Sequence, residues 1–299
     1  MLFAIFQLIL FQFILPVVFM IPLWRGSFHS KIDWMIQVLF NLVFISWLFL
    51  SSAWSWFSYY FRFIWPILLI LAIYQSWKKV RPLPLRIKFS RSQKWSLGIH
   101  TVLILIFGLY NVFIFSGFTT EDNAVELEFP LKNGTYYVGQ GGDHVQINYH
   151  HPYLAQQYAI DIIKLNRVGA RASGIYPKQP DRYVIYGDEL YSPCTGNVVE
   201  ARNHLPDLAP PDTDSERPEG NYINLYCEGE DVNVYIAHMQ KGSVAAEEGD
   251  NVQKGQFIGK VGNSGNTTEP HLHIHAEKDG EGVPIRFNGK FLVRNSLVW

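Results

Sequence analysis

A chain of 299 residues with formal net charge −1, 48% hydrophobic and 17% charged residues and a mean hydropathy of +0.03 has room for two domains and, on average, an unremarkable composition. The average conceals two unlike halves: residues 1–119 hold ten Lys and Arg against one acid, Asp33, for a net +9, while residues 120–299 hold fifteen against twenty-five, for a net −10. The acidic half has no stripe of bases, which disfavours nucleic acid as a partner.

The first half contains four apolar runs, near 2–23, 34–53, 58–76 and 96–117. Crossing a bilayer takes about 20 mostly apolar residues in a helix, so residues 1–119 read as four transmembrane helices. A cleaved signal peptide accounts for the first run only, and that run lacks a basic start. Between the third and fourth runs, Lys78, Lys79, Arg81, Arg86, Lys88, Arg91 and Lys94 occur without an acid, which places this loop in the cytoplasm, against anionic lipid. Arg25 and Lys31 then also face inward, and the loop Ser51–Ser58, with Trp54 and Trp56, suits the outer interface. Both termini, and residues 120–299, fall outside the cytoplasm. Arg62, near the outer end of the third run, is expected to snorkel, and Asn41 and Asn111 to bond between helices. The bundle reads as an anchor, with room for a protein partner.

After Phe118 the pattern becomes soluble, with short alternating stretches near 136–138, 144–148, 158–164, 196–201, 222–227, 232–238, 256–261 and 272–277. Residues 120–299 therefore read as an all-β domain, an antiparallel sandwich or partly closed barrel. Asn203–Gly220 carries prolines and charges that no core strand accepts, so it reads as a long surface insert, with a lid over the groove as the other reading. A hairpin with Val198 opposite Tyr222 or Ile223 brings Cys194 and Cys227 near one another; a disulfide and two separate thiols both fit this placement. Neither cysteine has a zinc-type spacing partner.

The chemistry concentrates in Gly262-Asn263-Ser264-Gly265-Asn266-Thr267-Thr268-Glu269-Pro270-His271-Leu272-His273-Ile274-His275. In a strand, alternation places His271, His273 and His275 on one face and Leu272 and Ile274 on the other, so one face can build a metal or proton-transfer site. Asp161 stands in the apolar stretch Tyr158–Ile163, where an unpaired carboxylate is costly and a metal would relieve the cost.

Pro-His-Leu-His and the Gly-Asn-Ser-Gly-Asn turn before it resemble the signature of the lysostaphin-type (LytM-like) zinc endopeptidases. Tyr235-Ile236-Ala237-His238 resembles the family's Tyr-Ala-His-Leu motif, Glu248–Gly259 follows in the usual place, and Pro193-Cys194-Thr195-Gly196-Asn197-Val198 matches its Pro-x-x-Gly-x-Val strand. The resemblance covers about residues 140–280 and implies one zinc ion held by Asp161, His273 and a further histidine, with His238 and His271 orienting water and moving protons. The family's first ligand, a His four residues before the Asp, is here Gln157, and a neutral amide is a poor zinc ligand. His150 and His151 lie just upstream, and one of the pair is expected to replace it, with His151 taken as the third ligand. The family's Glu after the His-x-His pair is His275, an outer partner or an alternative ligand.

The function implied is a membrane-anchored zinc endopeptidase cutting peptide bonds of bacterial peptidoglycan. The competing readings are a catalytically degenerate module that binds wall peptide or regulates another hydrolase, which Gln157 favours, and a sensor using the membrane bundle.

Overall fold

The computed structural model of the chain describes residues 2–120 and 124–299. They fall into two compact units, Met1–Trp54 with Tyr60–Phe115, and Ser55–Tyr59 with Ser116–Trp299.

Among the described residues, four helical segments are long and apolar enough to cross a membrane: α1 (Leu2–Arg25, with a π-helical turn at Leu10–Ile14), α2 (Lys31–Ser51), Tyr59–Val80 (a 3₁₀ turn at Tyr59–Phe63 continued by α3, Ile64–Val80) and α4 (Arg91–Ser116). Their ends follow from capping chemistry that apolar runs do not reveal. Gly26 closes α1 in the left-handed conformation, at φ +65°. Ser30 Oγ accepts the Asp33 amide at 3.2 Å, so α2 begins at Lys31. Ser90 and Gln93 form a reciprocal capping box, which starts α4 at Arg91, ahead of its apolar stretch.

Asn41 Nδ2 donates to the Phe19 carbonyl and Asn111 Nδ2 to the Val43 carbonyl, both between helices as the sequence suggests. Arg62 does not snorkel. It is buried, its guanidinium lies 3.9 Å from the Phe49 ring centre, and Nη2 donates to the Phe49 carbonyl at 3.0 Å.

The second unit is built from β1 (Val125–Leu127), β2 (Thr135–Gln140), β3 (Ile160–Leu165), β4 (Glu189–Tyr191), β5 (Gly196–Arg202), β6 (Asn221–Cys227), β7 (Val232–Met239), β8 (Asn251–Val252), β9 (Phe257–Lys260), β10 (Leu272–Lys278), β11 (Glu281–Val283), β12 (Ile285–Phe287), β13 (Lys290–Phe291) and β14 (Leu297–Val298). Eight strands run in the order β14-β2-β3-β10-β7-β6-β5-β8, with β11 added to β10, and every pairing in this sheet is antiparallel. Two small sheets, β1-β12-β13 and β4-β9, share one core with it: Ile160, Ile162, Ile223, Leu225, Val234, Ile236, Leu272 and Ile274 pack with Val125, Leu127, Leu190, Ile258, Ile285 and Phe287. Alternation makes this face apolar and leaves the opposite face of the central strands for polar chemistry.

The stretch 144–148, expected as a strand, is a turn. Asn148 is fully buried and its Nδ2 donates to the carbonyls of Gly142, Gln157 and Ala159, an arrangement that folds the chain back on itself in place of a ladder. Val198 pairs with Leu225, two to three positions from the anticipated register: Tyr222 and Ile223 lie opposite Arg202 and Ala201, at the far end of β5, and a bulge between Val198 and Glu200 shifts the pairing by one residue. Cys194 and Cys227 are joined in a disulfide, with Cα atoms 5.7 Å apart. It closes a separation of 33 residues, and chain-entropy arguments assign such a link about 2–4 kcal/mol. The Cys194→Ala/Cys227→Ala variant should therefore unfold its β-rich unit at markedly lower denaturant in detergent-solubilised protein; an unchanged midpoint would show that the link adds no stability.

Candidate metal centre

β3 and β10 are neighbours in the middle of the sheet, with Asp161 directly opposite His273, so both side chains share the face turned from the core. His273 Nδ1 lies 3.0 Å from Asp161 Oδ1. His150 Nε2 lies 3.1 Å from both carboxylate oxygens, and His271 Nε2 3.4 Å from Oδ1. All but His271 are buried, and Asp161 is 8% exposed.

Burial alone would raise the Asp161 carboxyl, but the adjoining His150 and His271 prevail and hold it well below the ordinary carboxylate range. Burial depresses His238 and His275 well below the usual imidazole value and lowers His273, whereas His271 is raised by Asp161 against its own burial.

His150 reaches Asp161 because Asn148, two residues earlier, ties its turn to the start of β3 and accepts the His150 amide through Oδ1 at 3.2 Å. His151 points elsewhere, with Nδ1 3.4 Å from Asp143 Oδ1 and its ring 6.0 Å from that of His144. The Gln157 amide donates to the Gly282 carbonyl at 3.3 Å. The structure thus gathers Asp161, His273, His271 and His238, brings in His150, and leaves His151 and Gln157 outside the cluster.

His238 arrives by a route that alternation forbids. Ala237 is opposite His273 and Tyr235 opposite His275, so His238 ought to point into the core with Ile236. Instead its backbone takes φ +59°, a conformation rare for a side chain of this size, and the ring meets His271 at 4.9 Å and His273 at 5.6 Å between centres. The Glu219 carbonyl accepts the His238 amide at 2.9 Å, which helps to hold the turn.

Hydrogen bonds to carbonyls fix two tautomers. His238 Nδ1 faces the Ser264 carbonyl at 2.9 Å and His271 Nδ1 the Glu269 carbonyl at 2.9 Å; a carbonyl only accepts, so both Nδ1 atoms carry hydrogen, and burial keeps the His238 ring neutral with Nε2 bare, whereas the Asp161 carboxylate, 3.4 Å from His271 Nε2, favours a proton there until a cation takes up its charge. His271 Nε2 is buried without a hydrogen-bond partner among the described residues. His273 Nε2 lies 3.0 Å from His275 Nδ1, and His275 stacks on Tyr235 at 4.8 Å, so His275 can accept the Nε2 hydrogen whenever Nδ1 serves as a ligand.

His150, Asp161 and His273 offer three ligand atoms within 4.8 Å of one another, as do His238, His271 and His273. The first set fits zinc. Two imidazoles and one carboxylate are a common zinc donor set, and the buried carboxylate has no Lys or Arg hydrogen-bonded to it among the described residues.

Tyr149, His150, Tyr153, Glu219, His238, His273 and His275 line a groove of about 680 Å³ above these atoms. The insert Asn203–Gly220 borders it and is stitched to the turn before His271: Asp207 Oδ1 accepts the Asn263 amide at 2.6 Å, Asn263 Nδ2 donates to the Leu208 carbonyl, and the Pro218 carbonyl accepts from Asn266. Gly265, at φ +86°, fits so closely on Pro218 and Gly220 that a Cβ there would collide with their backbone.

Residues 181–285 match the model of Peptidase family M23, so the β-rich unit carries a peptidase M23 domain. The match includes His238, His271 and His273 and begins after His150 and Asp161. Among solved structures, the chain is similar to Helicobacter pylori Csd3 (19% identity, 54% of this chain and 32% of that one, TM-score 0.30). It is also similar to a zinc-containing peptidase of Vibrio cholerae (21%, 42% and 48%, 0.27) and the catalytic domain of lysostaphin from Staphylococcus simulans (23%, 37% and 83%, 0.23). The chain spans about a third of the Helicobacter protein and about half of the Vibrio one.

Zinc titration of the full chain in detergent separates the two candidate histidines. His150→Ala should weaken binding by more than about 100-fold, beyond the range typical of losing an outer hydrogen-bond partner, while His151→Ala and Gln157→Ala stay near wild type. The reverse order of effects would exclude the His150–Asp161–His273 set.

Proposed function

We propose that this chain is a membrane-anchored, zinc-dependent endopeptidase that hydrolyses peptide bonds in bacterial peptidoglycan. The observation that carries the reading is the convergence of His150, Asp161 and His273 beside two histidines whose Nδ1 atoms are held by carbonyls, which turns Nε2 of each toward the cluster. Gln157 is the feature that favours a degenerate binding module, and His150 supplies the imidazole that Gln157 lacks.

Zinc in this set supplies Lewis acidity and lowers the pKa of water. His271, held by Glu269 and Thr267, presents Nε2 to take a proton from the attacking water. His238 Nε2, once protonated, can donate to oxygen as negative charge develops on the carbonyl. The groove walls Tyr149 and Tyr153 offer flat apolar faces to a peptide, and Glu219 adds an acid to the lining.

The anchoring half of the proposal rests on the four helices of membrane-spanning length and on the seven bases between Lys78 and Lys94. Ser55–Tyr59, between two of those helices, packs with the β-rich unit, which supports placing that loop and the peptidase domain on one side of the bilayer, outside the cytoplasm.

The zinc-loaded full chain in micelles should release peptide fragments from purified peptidoglycan, detected by mass spectrometry. His271→Ala should keep its zinc and lose about 100-fold or more in kcat, and His273→Ala should lose metal and activity together. Wall binding without release of fragments by the zinc-loaded wild type would instead support the binding module.

A further inference from the structure

The segment Ser55–Tyr59 is covalently placed between two helices of membrane-spanning length, yet it packs as part of the β-rich unit. The Ser55 carbonyl accepts the Arg171 amide at 3.0 Å, the Tyr59 amide donates to the Gly169 carbonyl at 2.8 Å, and Ser58 Oγ donates to the Val168 carbonyl at 2.7 Å. Within it, the Trp56 side chain covers two others. The Arg171 guanidinium carbon lies 3.9 Å from the centre of the Trp56 ring, and Tyr176 stacks on that ring at 5.2 Å and 28°.

Both covered residues reach the same place. Arg171, 2% exposed, points Nε at the two Glu269 oxygens at 2.9 and 2.8 Å, with Nη2 2.8 Å from Oε2. Tyr176 Oη donates to the Thr268 carbonyl at 2.8 Å. Residues 268 and 269 are therefore pinned through a side chain and a carbonyl, and the Glu269 carbonyl so placed is the acceptor that fixes His271 Nδ1.

We propose that Trp56 is a positioning residue for His271: by covering Arg171 and Tyr176, the segment between the helices holds Thr268 and Glu269, and through the Glu269 carbonyl sets the tautomer and aim of the His271 ring. The inference rests on the peptidase reading for its effect on rate, though not for its effect on geometry. Removing the indole wets the Arg171–Glu269 pair and weakens it, so the carbonyl gains freedom while the metal ligands keep theirs fixed.

The test uses the full chain in micelles, loaded with zinc, in wild type, Trp56→Ala, Trp56→Phe, Glu269→Gln and Tyr176→Phe. Hydrolysis of purified wall peptide gives kcat and KM, and two-bond ¹⁵N–¹H spectra of ¹⁵N-histidine-labelled protein give the His271 tautomer, assigned with His271→Gln. Trp56→Ala and Glu269→Gln should lower kcat by about tenfold or more at unchanged KM and zinc content, with His271 losing its single Nδ1–H signature. Trp56→Phe should recover most of both, and Tyr176→Phe, which deletes one hydroxyl, should show a smaller loss of the same kind. An unchanged His271 signature in folded Trp56→Ala and Glu269→Gln overturns the proposal, whether activity is kept or falls with zinc content and stability. If the zinc-loaded wild type cuts no peptide, the peptidase reading fails and the spectra alone decide the role of Trp56.

Discussion

Asp161 places a negative charge inside a strand whose neighbours, Ile160 and Ile162, belong to the core. A carboxylate there is tolerable only with compensating groups at close range, and the structure supplies imidazoles at 3.0 to 3.4 Å. The requirement reaches outward. His273 must stand opposite Asp161, which fixes the register of β10 on β3; His150 must return from a turn, which Asn148 builds; and His271 must approach end-on, which the Glu269 carbonyl arranges. Much of the second unit can be understood as support for this one buried charge.

The cluster divides labour between rings tied to the carboxylate and rings tied to backbone carbonyls. His150 and His273 approach the carboxylate with a nitrogen each, and His238 and His271 each give Nδ1 to a carbonyl and keep Nε2 for the cluster, that of His271 lying 3.4 Å from Asp161. Backbone carbonyls, rather than acids, hold these last two rings. They orient an imidazole without lending it a full negative charge, so neither His238 nor His271 is locked as a cation by its own anchor.

What could be read from the sequence followed its regular periods. The alternation of His271, His273 and His275 with Leu272 and Ile274 is visible in the strand period, and Asp161 is conspicuous as an acid in an apolar run. The choice between His150 and His151 was beyond that reading, since a turn has no period and the direction of each ring depends on Asn148 and its three carbonyls. His238 lies on the wrong parity for its role and joins the site through a single left-handed backbone angle. Trp56 is more distant still: nothing in the spacing of residues 51–58 connects them to a motif more than 200 positions later, and only packing links Trp56 to Arg171 and Glu269.

The stitched insert also constrains how the domain comes into being. Asn221, at the start of β6, brackets Leu205 through its amide and waits for Ser264 Oγ to accept its own N–H at 2.8 Å. The β5–β6 hairpin, closed locally by a proline-bearing loop, therefore reaches its final form only when the chain has been made as far as the Gly262–Asn266 turn. Without that turn the insert would keep only its local bonds to Asn221 and leave its other peptide bonds open to a protease; with it, the insert is sewn to the histidine-bearing segment. Resistance to proteolysis at residues 203–220 should thus track closure of the Gly262–Asn266 turn, because the same hydrogen bonds hold both.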